Sequence, residues 1–566
     1  MRILTGKKWR DGYLDYYRNP TEYRVQILAF KNLERLSGVY HTRQKSLRLL
    51  WNYFPVVGLE GLITKTWSRL REGRRNEKYV SYGIGKIIEG PDNGALKAGD
   101  TVGLIAPLHP ALPERIVLPE ELIFQLEKSD IPELKEDAIL YSPLTNIEIS
   151  RYRDTNISGH KDAVISRYRD SEMSKDRDVD MWWEKIKGWS MYSGMKISQE
   201  TQKELEDNLK KEIKENDWAD QIDAKNPSAV AETKGEIQSK GSKKRGILFG
   251  FGNYAKINIV PYMKPFVNIQ TVHEADPTQI SGARKVQKWD TSPFPKENEE
   301  ADVYFVASYN NTHVPTTLHA LRQGAYVVVE KPVVMDYEDL DELEKALRKV
   351  GRKLFIGFHK RYGVFNKMAL EDLDIKKGDP ISYHSIVYEL VQPKFFWYNW
   401  PISRSTFFAN GCHQIDHFLH LNDFSKPKDS DIKLMQDGSV EVWIELENGA
   451  CFTTTFSEKG TSRVGPRDFV ELKVPNKNIR ITDAIKYQSE DNNKIIRKKR
   501  IFKTNSYKTM YQTIGKTIAE NGDGDSIESI LVSAKIMLDL EEKLQKMKGW
   551  GNRYKQAKEE FARYFK

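Results

Sequence analysis

The sequence predicts an α/β fold built around a parallel sheet, preceded by a β-rich unit and a polar, helical stretch. Three observations point there. From Arg245 onward, short apolar runs alternate with helix-length segments, as βαβ units do. The first run, GILFGFG at Gly246–Gly252, closes on glycines, like a buried parallel strand entering a tight turn. Before residue 125 the pattern is instead one of short strands separated by glycine-containing turns.

Composition narrows the function classes. The chain has 566 residues, 39% hydrophobic and 30% charged, so there is apolar material for several cores and global disorder is excluded. At roughly 100–200 residues per domain, the length suggests about three to five domains. No uncharged apolar run reaches the roughly 18 residues that a membrane-spanning helix needs. The start, MRILTGKKWRDGYLDYY, has no apolar h-region, so no signal peptide and a cytoplasmic location are expected. Two cysteines, Cys412 and Cys451, are too few for a disulfide framework or a Cys-rich zinc site, and no metal is expected. The net charge of +9 comes from 89 basic and 80 acidic residues, mostly interleaved. Local surpluses occur at Arg69–Arg75 (RLREGRR) and Lys494–Lys503 (KIIRKKRIFK). No nucleic-acid-binding motif accompanies them, so they read as solvated surface, with anionic small molecules as the alternative partner.

The elements follow in order. In residues 1–125, YVSYGIGKIIE (Tyr79–Glu89) places strand formers around two glycines, PDNG supplies a turn, and LKAGDTVGLIAPL reads as a turn and a strand. Residues 126–243 are polar and read as helix and linker. Leu205, Leu209 and Ile213 mark one face of an amphipathic helix. Trp182, Trp183 and Trp189 would pack this region on a neighbour, and ISRYRD recurs at 149–154 and 165–170 without making a repeat fold. Residues 217–243 are rich in small and charged residues and read as a linker.

The next signal is chemical. Gly250-Phe251-Gly252-Asn253-Tyr254-Ala255 fits G-x-G-x-x-A. The first glycine permits the turn, the second lets backbone approach a pyrophosphate, and the small last residue lets a helix pack close. A helix following directly would aim free N–H groups at the phosphates. The second strand, NIQTVHEA (Asn268–Ala275), carries Glu274, 22 residues after Gly252, where a carboxylate accepts ribose hydroxyls. An acid there repels a 2′-phosphate, so NAD is expected in preference to NADP. Asp276 is the competing acid, Arg284 and Lys285 are groups that would accommodate a phosphate, and a plain polar strand end is the alternative for Glu274. A strand (Ala301–Ala307), a helix (Pro315–Gly324), a strand (Ala325–Val329), a helix (Tyr337–Val350) and a strand (Lys353–Gly357) follow. Glu330-Lys331-Pro332 stands at the carboxyl end of a strand, where open α/β sheets bind ligands.

The pieces GFGNYA, VASYNNTHVPTTLHAL, GAYVVVEKP, GFHKRYGVFN and NGCHQIDHFLHL, in this order, resemble the Gfo/Idh/MocA oxidoreductase family. The resemblance implies a Rossmann domain (244–365), then an α/β domain with a large, mostly antiparallel sheet (366–540), which SVEVWIELENGACFTTTF supports as two strands around an ENG turn. Residues 541–566 read as a C-terminal helix. The resemblance also places Asn310, His313, Glu330, Lys331 and Pro332 against the coenzyme, beside Gly250, Gly252, Asn253, Tyr254, Ala255 and Glu274.

It implies Lys331 and His413 as catalytic groups. A lysine near a cationic ring in a dry pocket is expected to have its pKa lowered toward working pH. A histidine exchanges protons near neutrality without tuning. Relatives carry an acid three or four residues before this histidine; here Ala409-Asn410 stand there, so the proton relay falls more heavily on Lys331. Arg361, Tyr362, Asn410 and Asp416 are the expected substrate contacts. Cys412 adjoins His413 in sequence but points elsewhere on a helix, which argues against a nucleophile.

More faintly, VSYGIGKIIEGPDNGALKAGDTVG resembles the GroES-like part of zinc-type medium-chain dehydrogenases, and SLRLLWNYFPVVGLEGLITKTWSRL resembles bi-domain oxidoreductases of surface-polysaccharide gene clusters. The zinc ligands and a second glycine fingerprint are missing, so this unit is expected to be catalytically silent. The combined expectation is hydride transfer between nicotinamide and a secondary hydroxyl or ketone of a sugar or nucleotide-sugar, in a homo-oligomer assembled through the open sheet face. The alternatives are glycoside hydrolysis through transient oxidation and a non-catalytic NAD-binding sensor or scaffold.

Overall fold

The structure, a computed structural model, describes residues 243–564 except 277–287, 392–396 and 461–466; before 243 it describes 2–5, 8–11, 22–35, 79–108, 111–113, 115–120, 123–126, 138–142 and 220–223. The helix of Leu205–Ile213, the three tryptophans at 182–189, the ISRYRD echo, the RLREGRR cluster, Arg284 and Lys285 lie outside the described residues.

The N-terminal part is all strand among the described residues: β1 (Arg2–Thr5), β2 (Lys8–Asp11), β3 (Glu22–Arg35), β4 (Tyr79–Glu89), β5 (Thr101–Leu108), β6 (Ala111–Pro113), β7 (Arg115–Pro119), β8 (Ile123–Gln125), β9 (Ala138–Ser142) and β10 (Asp220–Asp223). One small sheet runs β2-β1-β6, and a larger one runs β10-β9-β3-β4-β5-β8 with β7 also on β3. The glycines of YGIG and TVG let these strands pack closely: a Cβ on Gly85 would lie 2.3 Å from Val25, and one on Gly103 2.2 Å from Phe124. Asp220–Asp223, read from sequence as linker, is a strand paired antiparallel with Ala138–Ser142. Partner-strand hydrogen bonds override local composition there.

A six-stranded parallel sheet follows. It comprises β11 (Lys244–Phe249), β12 (Val267–His273), β13 (Lys288–Asp290), β14 (Val303–Val306), β15 (Tyr326–Val329) and β16 (Leu354–Ile356), in the order β13-β12-β11-β14-β15-β16. The order reverses direction beside β11, which opens a crevice between the carboxyl ends of β11 and β14. β14 (VYFV), β15 (YVVV) and β16 (LFI) are buried throughout because both faces are covered, whereas β12 and the edge strand β13 carry polar residues. On one face lie α2 (His313–Arg322) and α3 (Tyr337–Val350), through Leu318, Leu321, Leu340, Leu343 and Leu347. The other face is closed by α1 (Val260–Met263) and by α6 (Asn505–Ala519), whose Met510, Tyr511, Ile514 and Ile518 pack on Leu248, Val303, Phe305 and Val328. A helix that starts 256 residues after the end of β11 (Phe249 to Asn505) thus completes this layer, although the sequence reading groups it with the second domain.

The expected helix follows the glycines directly: residues 253–263 are helical, with a π-helical stretch at Ala255–Ile259 running into α1 and Pro261 in the first turn of α1. The Lys256 N–H donates to the Gly252 carbonyl at 3.1 Å, so the helix begins at the second glycine and its amino end lies at the loop.

The remaining chain builds α4 (Val364–Leu373), α5 (Cys412–Leu421), α7 (Ile527–Met547), α8 (Arg553–Tyr564) and an eight-stranded sheet. Its strands are β17 (Ser382–Leu390), β18 (Pro427–Leu434), β19 (Val440–Leu446), β20 (Cys451–Gly460), β21 (Arg467–Val474), β22 (Lys477–Thr482), β23 (Lys486–Asp491) and β24 (Ile495–Arg500), ordered β18-β19-β20-β17-β21-β22-β23-β24. Only β17 and β20 pair parallel, so the sheet is mostly antiparallel, as expected. The ENG turn joins β19 to β20, with Gly449 at φ +87°. The basic run at 494–503 forms the exposed edge strand β24, where lysines and arginines deter further strand pairing.

Candidate active site

The glycine loop is shaped by two different demands. Gly250 has φ +87°, and a Cβ there would sit 2.2 Å from the Ala307 carbonyl oxygen, so no other residue fits between β11 and β14. A Cβ on Gly252 would meet nothing within 4 Å: this residue faces open space above the crevice. Ala255 is buried against the sheet, Asn253 is exposed, and the Tyr254 hydroxyl lies 3.1 Å from that of Tyr511.

Glu274 stands at the end of β12, beneath this loop. The Phe251 N–H donates to its Oε2 at 2.5 Å and the Asp276 N–H to its Oε1 at 2.9 Å. Burial, with the nearby Asp276 charge adding to it, raises its pKa to about 7. The sequence-predicted carboxylate is therefore under the glycine loop, with lone pairs left for ribose hydroxyls. Asn310 is buried and its Nδ2 has no hydrogen-bond partner, which is a second group suited to a ligand in this crevice. The open side of Gly252, the Glu274 carboxylate and the Asn310 amide together fit a dinucleotide.

His313 does not reach the coenzyme side with a free nitrogen. Its Nδ1 donates to the Pro332 carbonyl at 2.7 Å, and its Nε2 faces the Ser308 carbonyl at 3.3 Å. Burial lowers its pKa to about 4, so the ring is neutral and holds the Glu330-Lys331-Pro332 segment in place.

At the end of β15, the Tyr511 hydroxyl on α6 donates to Glu330 Oε1 at 2.6 Å. Gly357 makes room for that carboxylate: a Cβ there would lie 2.5 Å from Glu330 Oε1. The Lys331 ammonium donates to the Ala409 carbonyl at 2.8 Å and to Asn410 Oδ1 at 2.9 Å. Asn410 thus positions Lys331. Burial alone would lower the Lys331 pKa, but Tyr398, Cys412, Glu330 and Glu389 around it turn the net shift upward. The expected downward shift is not found, because these groups outweigh desolvation.

His413, at the start of α5, is half-buried and within electrostatic reach of the Lys331 ammonium. Its Nδ1 is buried without a hydrogen-bond partner. Burial, then the charges of Lys331 and Lys360, hold its pKa well below the ordinary histidine range. The His359 ring packs edge-on to it at 4.5 Å and stacks on Tyr507 of α6 at 4.0 Å. Lys360 pairs with Asp468 of β21, which also accepts from Gln414 at 3.1 Å. Lys503 and Glu389 act electrostatically on this cluster as well. Cys412 is buried, donates to the Ala409 carbonyl, and is pushed up to about 12 by burial, which leaves the thiol protonated.

Two predicted substrate residues are otherwise engaged. Arg361 grips Asp416 with Nη2 at 2.6 Å and Nε at 2.9 Å, and their side chains are 5% and 1% exposed. Ser533 also donates to Asp416, and Asp525 lies 3.4 Å from Arg361. This buried network locks α5 and α7 to the segment after β16; neither group is left to meet a substrate. Tyr362 packs against the apolar layer that contains α6. Sequence reasoning quoted HKRY for Arg361 and Tyr362 and passed over His359 and Lys360. It also missed Tyr507 and Tyr511, whose i, i+4 spacing marks one helix face.

Among the described residues, no group of three or more His, Cys, Asp or Glu side chains is placed to hold a metal ion. No described helix is long and apolar enough to cross a membrane.

This fold and site define the class: a dinucleotide-binding oxidoreductase domain. Residues 245–358 match the Gfo/Idh/MocA family model, described as an oxidoreductase family with an NAD-binding Rossmann fold. The chain is 36% identical over 72 residues to D-glucoside 3-dehydrogenase of Escherichia coli, a match covering 13% of this chain and 20% of that protein. The chain therefore spans about a fifth of the length of this curated relative. Among solved structures, scyllo-inositol dehydrogenase from Lactobacillus casei with NAD(H) and scyllo-inositol is 17% identical, with a TM-score of 0.44 over 54% of this chain and 98% of that one. Levoglucosan dehydrogenase in complex with NADH and levoglucosan is 15% identical, with a TM-score of 0.46 over 54% and 98%.

Proposed function

We propose that this chain is an NAD-dependent oxidoreductase acting on a secondary hydroxyl or ketone of a sugar or nucleotide-sugar. One observation supports this above the rest: beside the dinucleotide crevice a buried lysine is held on Ala409 and Asn410, within electrostatic reach of a neutral histidine three residues further on. Two of the three Lys331 N–H donors are spent on Ala409 and Asn410, which leaves one for a substrate oxygen. That ammonium stabilises negative charge as it develops on the oxygen. His413, neutral at pH 7, is the group that takes the hydroxyl proton in the oxidising direction and returns it in the reducing one. Bound NAD supplies the hydride acceptor or donor. Asn410, which stands three residues before His413 where the family resemblance implies an acid in relatives, fixes Lys331.

Glu274 favours NAD over NADP by repelling a 2′-phosphate. Homo-oligomerisation is proposed through the outer face of the eight-stranded sheet, where Ile386, Trp443 and Phe469 are 43%, 43% and 37% exposed. The N-terminal strands are proposed as a silent, GroES-like unit, and surface-polysaccharide synthesis as the setting.

The test is Lys331→Ala, assayed with a panel of sugars and sugar nucleotides by nicotinamide absorbance. Turnover should drop roughly 10²–10⁴-fold while calorimetry finds NAD affinity kept. Undiminished turnover removes Lys331 from the chemistry, and absence of NAD uptake by the unaltered chain removes the whole reading.

A further inference from the structure

Beside the 397–406 loop lies a cleft of about 560 Å³, open to solvent, lined by Tyr398, Trp400, Glu458, Lys548, Trp550 and Arg553. It is made by the loop, the end of β20 and the α7–α8 junction. Lys548 Nζ stands 4.5 Å from the centre of the Trp550 ring, and the Arg553 guanidinium 4.6 Å from it. Among the described residues, neither cation has a carboxylate within ion-pairing distance. The third basic residue of the lining is spent: Arg404 pairs with Glu542 at 2.9 Å, donates to the Met335 carbonyl and lies over Tyr554 at 4.2 Å. Its backbone has φ +60°, a strained conformation of the kind found where a loop is fixed for a ligand.

Two half-buried cations without a counter-ion, held at one tryptophan, suit a doubly charged anion. Aromatic rings suit the face of a heterocycle. Glu458 suits a donor such as a ribose hydroxyl and disfavours an anion that lacks one. The loop that lines the cleft runs straight into Ala409 and Asn410, which hold the Lys331 ammonium at 2.8 and 2.9 Å and so connect the cleft to the candidate active site.

We infer that this cleft binds the nucleoside-diphosphate end of the substrate: pyrophosphate at Lys548 and Arg553, base beside Trp400, and the sugar directed past Tyr398 toward Lys331. The inference rests on the oxidoreductase reading and gives it a substrate class, a nucleoside-diphosphate sugar.

The experiment is calorimetric titration of the NAD-loaded full chain with UDP and with ADP, with inorganic pyrophosphate and free uridine as separate arms. At least one nucleoside diphosphate should bind saturably, pyrophosphate more weakly, and uridine weakest. Lys548→Ala combined with Arg553→Ala should weaken diphosphate binding by about tenfold or more, since charge-assisted contacts are lost. NAD affinity, measured on the same sample, should not change, which also shows that the variant folds. The inference is overturned if neither diphosphate binds at millimolar concentration, if the double variant binds as tightly as the unaltered chain, or if the diphosphate displaces NAD. Intact NAD binding with no diphosphate binding sinks the cleft assignment alone; absent NAD binding sinks the oxidoreductase reading instead.

Discussion

At the scale of single residues, Glu274 couples coenzyme binding to pH. Its pKa is raised to about 7, so in the coenzyme-free protein it is largely protonated below that pH and charged above it. Ribose hydroxyls are best accepted by the charged form, so NAD affinity should strengthen as pH rises through about 7 and level off near about 8. Glu274→Gln should bind more weakly and show no such slope in calorimetry; a flat profile for the unaltered chain would remove Glu274 from the ribose. Arg361 makes the opposite point. Its partner Asp416 is 1% exposed, so Arg361→Ala strands a buried carboxylate and should cost about 3–5 kcal/mol of stability in denaturant melts. A raised KM with unaltered stability would instead restore Arg361 to the substrate. The motif HKRY was legible, but which of its four side chains point into the site was not, because a short 3₁₀ turn sets their directions.

At the scale of elements, α6 joins the parallel sheet to the site. It covers one face of β11–β16 and brings Tyr507 to His359 and Tyr511 to Glu330. Gly515 is where it comes closest: a Cβ there would lie 2.3 Å from the Phe266 ring. Gly515→Ala should therefore push α6 off the sheet, at a cost of about 1–3 kcal/mol, more than the helix-propensity gain of about 1 kcal/mol. NAD affinity should fall with it, because Tyr511 holds Glu330. A stabilised variant with unaltered NAD binding would show that α6 plays no part in the crevice. The sequence marks α6 as amphipathic, but its partner lies too far along the chain for periodicity to find.

At the scale of the whole molecule, two sheets meet around one space. The parallel sheet presents the glycine loop, Glu330 and Lys331, and the mostly antiparallel one presents Asp468 and Glu389. Helix α5 stands between them with His413. The outer face of the second sheet remains apolar where Ile386 stands opposite Phe469 in register. Trp443→Glu should shift the chain toward monomer in sedimentation velocity if this face is the subunit contact, because a buried charge without a partner is costly. An unchanged sedimentation coefficient would rule that contact out.

The sequence by itself determined the parallel strands, the glycine turn, the acid after the second strand and the Glu330-Lys331-Pro332 corner. Each follows from chemistry local to a few residues: backbone room, apolar runs and spacing along one βαβ unit. Only the tertiary structure decided the charge states and the partners. It made Lys331 a held cation and His413 a neutral ring, turned Arg361 and Asp416 to each other, gave His313 to the backbone and closed the parallel sheet with α6. Desolvation and long-range contacts set these outcomes, and both depend on what the folded chain places nearby rather than on what stands next in sequence.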